Sequence, residues 1–251
     1  MVDGFPADAT SFLILFARLG AMLMLLPAFS DESVSPRIRL LLALGLTAGL
    51  WGLLSPQVTG ATANPAALPG IIIAETMIGL MMGMIIRMLF QAAAMAGSII
   101  SLQVGLSSAL VFDPSQGGQA ALISRFMNVA AVVTCMALGV HHLWLQSMMG
   151  SYALFPIGGM PPWGDFAQLG VMAAGKAMSL ALSLAAPLVV YGIVFNVGLG
   201  LIARLTSAIQ IFFIAQPLNL LLGLGFFAVM IGAILTAFAA AMAELAQTTW
   251  I

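Results

Sequence analysis

Charge is what this sequence lacks most. Only 6% of its 251 residues are charged and 62% are apolar, whereas a soluble domain carries roughly a quarter charged residues to cover its surface. Such a chain cannot present a water-compatible surface by itself, so it belongs in a bilayer or inside a protein assembly. It has no basic run and a net charge of −1, which argues against nucleic acid as a partner. Cysteine is nearly absent. Cys135 stands alone in the apolar run AAVVTCMALG, so there is no disulfide framework, and the residue reads as a small buried thiol. The start, MVDGFPADATSF, holds Asp3 and Asp8 and no Lys or Arg. A cleavable signal wants a positive start, so the first apolar run is expected to stay in the mature chain.

The chemistry of catalysis is missing too. There is no HExxH, no GxSxG and no phosphate-cradling glycine loop. His141 and His142 are neighbours, and adjacent helical positions point roughly 100° apart, which makes a poor chelate. They read as interfacial histidines beside Trp144. No catalytic residue, metal ligand or cofactor is therefore expected, and an enzyme is not. The eighteen methionines read as ordinary core that can repack around different contacts.

What is present is apolar helix. A bilayer crossing takes about 20 mostly apolar residues. Thr10 to Phe29 qualifies, with Arg18 as an internal blemish, and Ile38 to Leu54 forms a shorter run. The stretch SPQVTGATANPAALPG is a loop. Gly70 to Val111 is too long for one crossing, and Arg87 is expected to divide it. Arg125 opens a run that reaches about Gly150, before a second loop, FPIGGMPPWGDF. Ala167 to Ala203 follows, with Lys176 early and Pro187 midway. Leu205 to Ala243 lacks any charge and is expected to bend into a hairpin near Gln216–Pro217. The fold class is all-α: a membrane helical bundle of bent hairpins with six principal apolar segments. Arg37 and Arg39 place the first loop in the cytoplasm and the N-terminus outside.

Polar residues recur at helical spacing inside these runs. Gln91, Ala94, Ser98, Ser101, Gly105 and Ser108 fall on one face, which is a packing seam or a wet wall. GLTAG (Gly45 to Gly49) and GLMMG (Gly79 to Gly83) are small-xxx-small matches, weak alone. Asn196, Gly200, Arg204 and Ser207 define a second face, continued by Gln210, Gln216 and Asn219. Arg204 facing lipid would be costly, so it faces a partner, a cavity or the interface. Glu75 and Arg87 lie about 120° apart around a helix; each needs a partner elsewhere, on another helix or another subunit. These residues leave a secondary transporter for a small solute open, because Glu75, Arg87, Arg204, Pro187 and Pro217 can be read as mid-membrane charges and helix breaks.

One break stands out, LVFDPSQGG. Gly117 and Gly118 allow φ values closed to other residues, and Pro114 holds Asp113 extended at a turn. Leu110, Val111 and Phe112 bring apolar bulk to it, and Ser115 and Gln116 complete the loop.

The ordered blocks LFARLGAMLMLLPAFS, SPRIRLLLALGL, SLQVGLSSALVFDPSQGGQAALISRFMN, GVHHLWLQSMMGSYALFPIG and APLVVYGIVFNVGLGLIARLTSAIQIFFIAQPLNLLLGL resemble the FliR/SctT family of type III secretion export-gate subunits. The likeness spans nearly the whole chain and departs at Thr206 and Ser207. It implies one domain over residues 1–251, with a FliP-like part at about 1–165 and a FliQ-like part at about 166–251. It implies assembly with FliP and FliQ into a helical ring in the inner membrane, at the flagellar basal body or, equivalently, in a virulence injectisome, with FlhB nearby. Unfolded subunits would pass through that ring, and Leu110 to Gly118 would plug the closed pore.

Overall fold

In the computed structural model, residues 5–30, 34–58, 65–106, 120–159, 163–205 and 211–250 are described. They form seven α-helices and no strand: α1 (Phe5–Leu25), α2 (Pro36–Val58), α3 (Leu68–Val104), α4 (Ala120–Ala137), α5 (Val140–Leu154), α6 (Trp163–Leu205) and α7 (Ile211–Trp250), with a 3-10 turn at Pro65–Ala67 before α3. Five helices are long and apolar enough to cross a membrane, or up to six if α4 and α5, bent by 77°, count as one span.

Local sequence explains the boundaries. Ser35 precedes Pro36, and its carbonyl and hydroxyl both receive amides from the first turn of α2 (Arg39 N–H at 3.2 Å, Ile38 N–H at 3.5 Å). Proline suits that first position because its missing N–H would have gone unused there. Gly139, at φ 75°, separates α4 from α5. At the end of α3, Gly105 adopts φ 86°. Its N–H bonds Leu102 O at 3.2 Å, and the Leu106 N–H bonds Ser101 O at 3.2 Å. This paired closure is the Schellman arrangement, and it needs a residue that tolerates the left-handed region.

Two expectations are corrected here. Arg87 does not divide α3, which runs unbroken for 37 residues: arginine is a good helix former, and its charge is exposed. Pro217 does not turn Leu205 to Ala243 into a hairpin, since α7 runs through it for 40 residues; near a helix start a proline removes one backbone bond without stopping the helix. The small-residue face of α3 is also shorter than its spacing implied, because the helix ends before Gly105 and Ser108 lies outside the described residues.

The chain divides into two compact units, neither contiguous in sequence. The first comprises Met1–Leu89, His141–Ala174 and Glu244–Ile251, and the second Phe90–Val140 and Gly175–Ala243. A boundary near residue 165 falls inside the first unit. In that unit α1 and α2 run antiparallel, since Phe12 meets Trp51 (5.7 Å between centroids) and Gly20 meets Ala43. The α3 helix runs parallel to α1, Gly79 lying on Arg18 and Ala21 and Gly83 on Met22 and Leu25. The glycines of GLMMG thus let two backbones touch. Those of GLTAG do not: Gly45 and Gly49 have nothing within 4 Å of a Cβ position. In the second unit α3 and α7 run antiparallel, with Phe90 edge-on to Phe238 at 5.2 Å and Val104 against Gly223.

Candidate functional site

The first unit is organised around a buried arginine. Arg18 is 1% exposed and Glu75 is fully buried, and the Arg18 Nε–H donates to Glu75 Oε2 at 2.5 Å. Nη1 donates to Ser151 O at 3.1 Å and reaches Ser151 Oγ at 3.4 Å. Nη2 donates to Phe155 O at 2.8 Å, and the Tyr152 ring lies 4.2 Å beneath the guanidinium carbon. One planar fork therefore ties α1 to α3 and to the end of α5. Lysine, with one compact ammonium, cannot do this. A buried charge is tolerated only when it is paired and hydrogen-bonded, and here the pair is neutral and its cation nearly saturated.

The second unit holds a clasp at the end of α3. Tyr191 Oη donates to Asn219 Oδ1 at 2.9 Å, and Asn219 Nδ2 donates to Gln103 O at 3.3 Å. That carbonyl belongs to the last turn of α3, where helix carbonyls lack an internal partner. Gly192 lies against the Gln103 side chain, and a Cβ on Gly223 would sit 3.1 Å from Val104 Cα. Tyr191 also stacks on Phe195 and Phe226 at 5.9 and 5.7 Å. So α6 and α7 grip the last turn of α3. On α4, Ser124 Oγ donates to Ala94 O of α3 at 2.7 Å and meets Ser98 Oγ at 3.3 Å. Gly97 presses on the Ser124 backbone. The α3 face thus acts as a packing seam at Ala94 and Ser98.

The residues singled out from sequence separate clearly. Leu110, Val111, Phe112, Asp113, Pro114, Ser115, Gln116, Gly117, Gly118 and Gln210 lie outside the described residues. Glu75 finds its partner, Arg18, in the same chain rather than on another subunit. Ser101 is 1% exposed, and its Oγ has no hydrogen-bond partner among the described residues. Asn219 is half-buried in the clasp. The chain does not itself bury Arg87, Ser98, Asn196, Arg204 or Gln216; all five are exposed. Ser98 nonetheless meets Ser124 of α4, and the Asn196 amide bonds the Gly192 carbonyl of its own helix. The rings of His141 and His142 lie 4.1 Å apart and tilted by 38°, but Trp144 beside them is 1% exposed and belongs to the core.

Sequence reading missed Arg18, Ser151, Tyr152, Tyr191 and Gln103. For Arg18 the signal was available: it is a lone cation in one apolar run, just as Glu75 is a lone anion in another. Backbone carbonyl partners leave no such mark.

The family model described as bacterial export proteins, family 1, matches residues 9–245. The chain belongs to that family. It is 36% identical to the flagellar biosynthetic protein FliR of Caulobacter vibrioides, over 91% of this chain and 93% of that one. It is 31% identical to the FliR of Escherichia coli K12, covering 84% and 80% of the two chains. To the FliR of Bacillus subtilis 168 it is 27% identical, covering 88% and 84%. This member of the FliR family is thus an all-helical membrane component of flagellar export, and Arg18, Glu75 and the α3 clasp all fall within the matched region.

Proposed function

We propose that the chain is a non-enzymatic subunit of the flagellar type III protein export gate, forming with FliP and FliQ the ring through which unfolded flagellar subunits leave the cell. The observation that carries this reading is helix length. With 37, 43 and 40 residues, α3, α6 and α7 extend about 55, 65 and 60 Å at about 1.5 Å per residue. The hydrocarbon core of a bilayer is about 30 Å thick. Fitting such apolar helices inside it would require tilts of roughly 57–62°, beyond the 0–40° found for membrane helices. Their remaining length favours a cover of protein, and only 28% of the α6 window and 17% of the α7 window is buried within the chain. In this reading the part at about 1–165 resembles FliP and the part at about 166–251 resembles FliQ. FlhB lies alongside, and the N-terminus faces the periplasm from the inner membrane at the flagellar basal body.

The segment Leu110 to Gly118 is the pore plug of this proposal. What supports it is the clasp: Gln103 and Val104 are gripped by two helices, which gives an apolar loop a fixed root. Deleting Asp113 to Gly118 in the assembled gate should let small ions leak through the closed state, measured as conductance in planar bilayers; unchanged conductance removes the plug. Co-expression with FliP and FliQ tests the assembly. Recovery of the chain as a lone, monodisperse, solute-binding protein would favour a small-solute transporter and end the gate reading.

A further inference from the structure

Two buried polar atoms beside the Arg18–Glu75 pair have no hydrogen-bond partner among the described residues, Glu75 Oε1 and Tyr152 Oη. Glu75 is fully buried and Tyr152 is 4% exposed. Buried polar groups are ordinarily hydrogen-bonded, so two exceptions in one cluster need a cause. The carboxylate meets the arginine through Oε2 alone, because Nη1 and Nη2 turn to the carbonyls of Ser151 and Phe155. Oε1 is thereby left off the fork, and an ionised carboxylate oxygen can only accept. The phenol is held at the same place. Its ring lies 4.2 Å from the guanidinium carbon, and the charges of Arg18 and Glu75 both act on its hydroxyl.

The charges already present select what fits there. Arg18 and Glu75 cancel one another, so an added cation would face the guanidinium and an added anion the carboxylate, each without a counter-ion. A neutral partner has to donate to Oε1 and also meet a hydroxyl that can donate or accept. Water does both. Buried waters typically make about three hydrogen bonds, to groups that the protein itself leaves unsatisfied.

We infer that the Arg18–Glu75–Tyr152 cluster is a binding site for an internal water molecule, which donates to Glu75 Oε1 and bonds Tyr152 Oη. Both carboxylate oxygens are then solvated, one by the guanidinium and one by water, so the charge of Glu75 is held deep in an apolar unit. The inference goes beyond the gate reading and does not rest on it, since every residue involved lies in the first unit.

Two measurements on the full-length chain in mild detergent test the site. Hydroxyl radicals released from water by brief X-ray irradiation label side chains that touch water, bound water included. Tyr152 should be labelled despite its burial. Phe166 and Phe238, rings as buried as its own but without a polar atom, should not. In the Arg18→Leu/Glu75→Leu variant the Tyr152 label should disappear. The second measurement is stability. Tyr152→Phe keeps the ring under Arg18 and removes only the oxygen, and it should lower the folding equilibrium constant about tenfold. The same change should cost no stability in the Arg18→Leu/Glu75→Leu background, where the carboxylate is gone. An unlabelled Tyr152 overturns the inference even if Tyr152→Phe is destabilising, because the hydroxyl would then bond protein directly. A label that persists in the double variant overturns it as well, since the site would not need Glu75. So does a Tyr152→Phe chain as stable as wild type or more so, the outcome for a buried hydroxyl that bonds to nothing. Neither measurement involves FliP or FliQ, so each result leaves the gate reading as it stands.

Discussion

Replacing Arg18 by leucine tests the arrangement on which the first unit depends. The substitution leaves Glu75, fully buried, with a charge and no counter-ion, and removes the donor from Phe155 O. Breaking a buried pair from one side costs about 3–5 kcal/mol, because the remaining charge is uncompensated. The unsatisfied carbonyl adds about 1–3 kcal/mol of its own, though the two costs overlap, since both come from one guanidinium. A loss of about 4–5 kcal/mol is therefore expected, a large fraction of the 5–15 kcal/mol that holds a typical domain.

The double variant Arg18→Leu/Glu75→Leu separates the electrostatic part. Apolar residues of similar volume in place of a buried pair are often neutral or stabilising, so the double variant should lose only about 1–2 kcal/mol, mainly for the carbonyls of Ser151 and Phe155. Removing Glu75 as well should therefore recover about 2–4 kcal/mol of the loss seen in Arg18→Leu alone. Denaturant titration of the lone chain in a fixed mild detergent, followed by tryptophan fluorescence, supplies the three free energies; Trp144 lies in the same unit and is 1% exposed, so it reports the right region. A double variant less stable than Arg18→Leu alone would refute the reasoning, because it would mean that Glu75 does not depend on Arg18. So would an Arg18→Leu chain within about 0.5 kcal/mol of wild type, the range of ordinary surface changes.

The other predictions concern packing. Gly79→Ala should destabilise the lone chain by about 1–3 kcal/mol through overpacking, since the new methyl meets the Arg18 carbonyl oxygen. Gly45→Ala, with nothing within 4 Å, should instead stabilise α2 by up to about 1 kcal/mol through helix propensity; the same sign for both in denaturant titration would contradict the packing. Asn219→Leu should cost about 1–3 kcal/mol and speed amide exchange at Val104 to Leu106 while leaving α1 unchanged. Uniform exchange across both would mean that the clasp does not hold the end of α3 locally.

Most of the fold was legible because apolar run length reports helices directly. The errors came where one residue was given the power to end a helix. Arg87 cannot do so, having a sound backbone propensity and a side chain long enough to lie outside. Pro217 stands within the first two turns of α7, where few bonds are at stake. The ends of α3 and α4 are set by glycines at positive φ, Gly105 and Gly139, and a glycine's φ cannot be read from its letter. The site was half legible. Glu75 and Asn219 stand out as polar letters among leucines, but the carbonyls of Gln103, Ser151 and Phe155 belong to the backbone, so sequence alone could show one side of each contact.

The glycines also divide the surface into what the chain completes and what it leaves for others. Gly79, Gly83, Gly97 and Gly223 would each set a Cβ within 3.1 Å of a neighbouring helix, so those crossings are closed inside the chain. Gly49, Gly198 and Gly200 lie on apolar helices with open space around them. Glycine in a helix interior costs roughly 0.5–1 kcal/mol relative to alanine, and at the closed crossings the close backbone approach offsets that cost. At the open positions nothing in the isolated chain does. In the gate proposed above, a neighbouring subunit would supply that compensation. Lipid cannot supply it, since acyl chains fill a bare groove and an alanine-lined one about equally well.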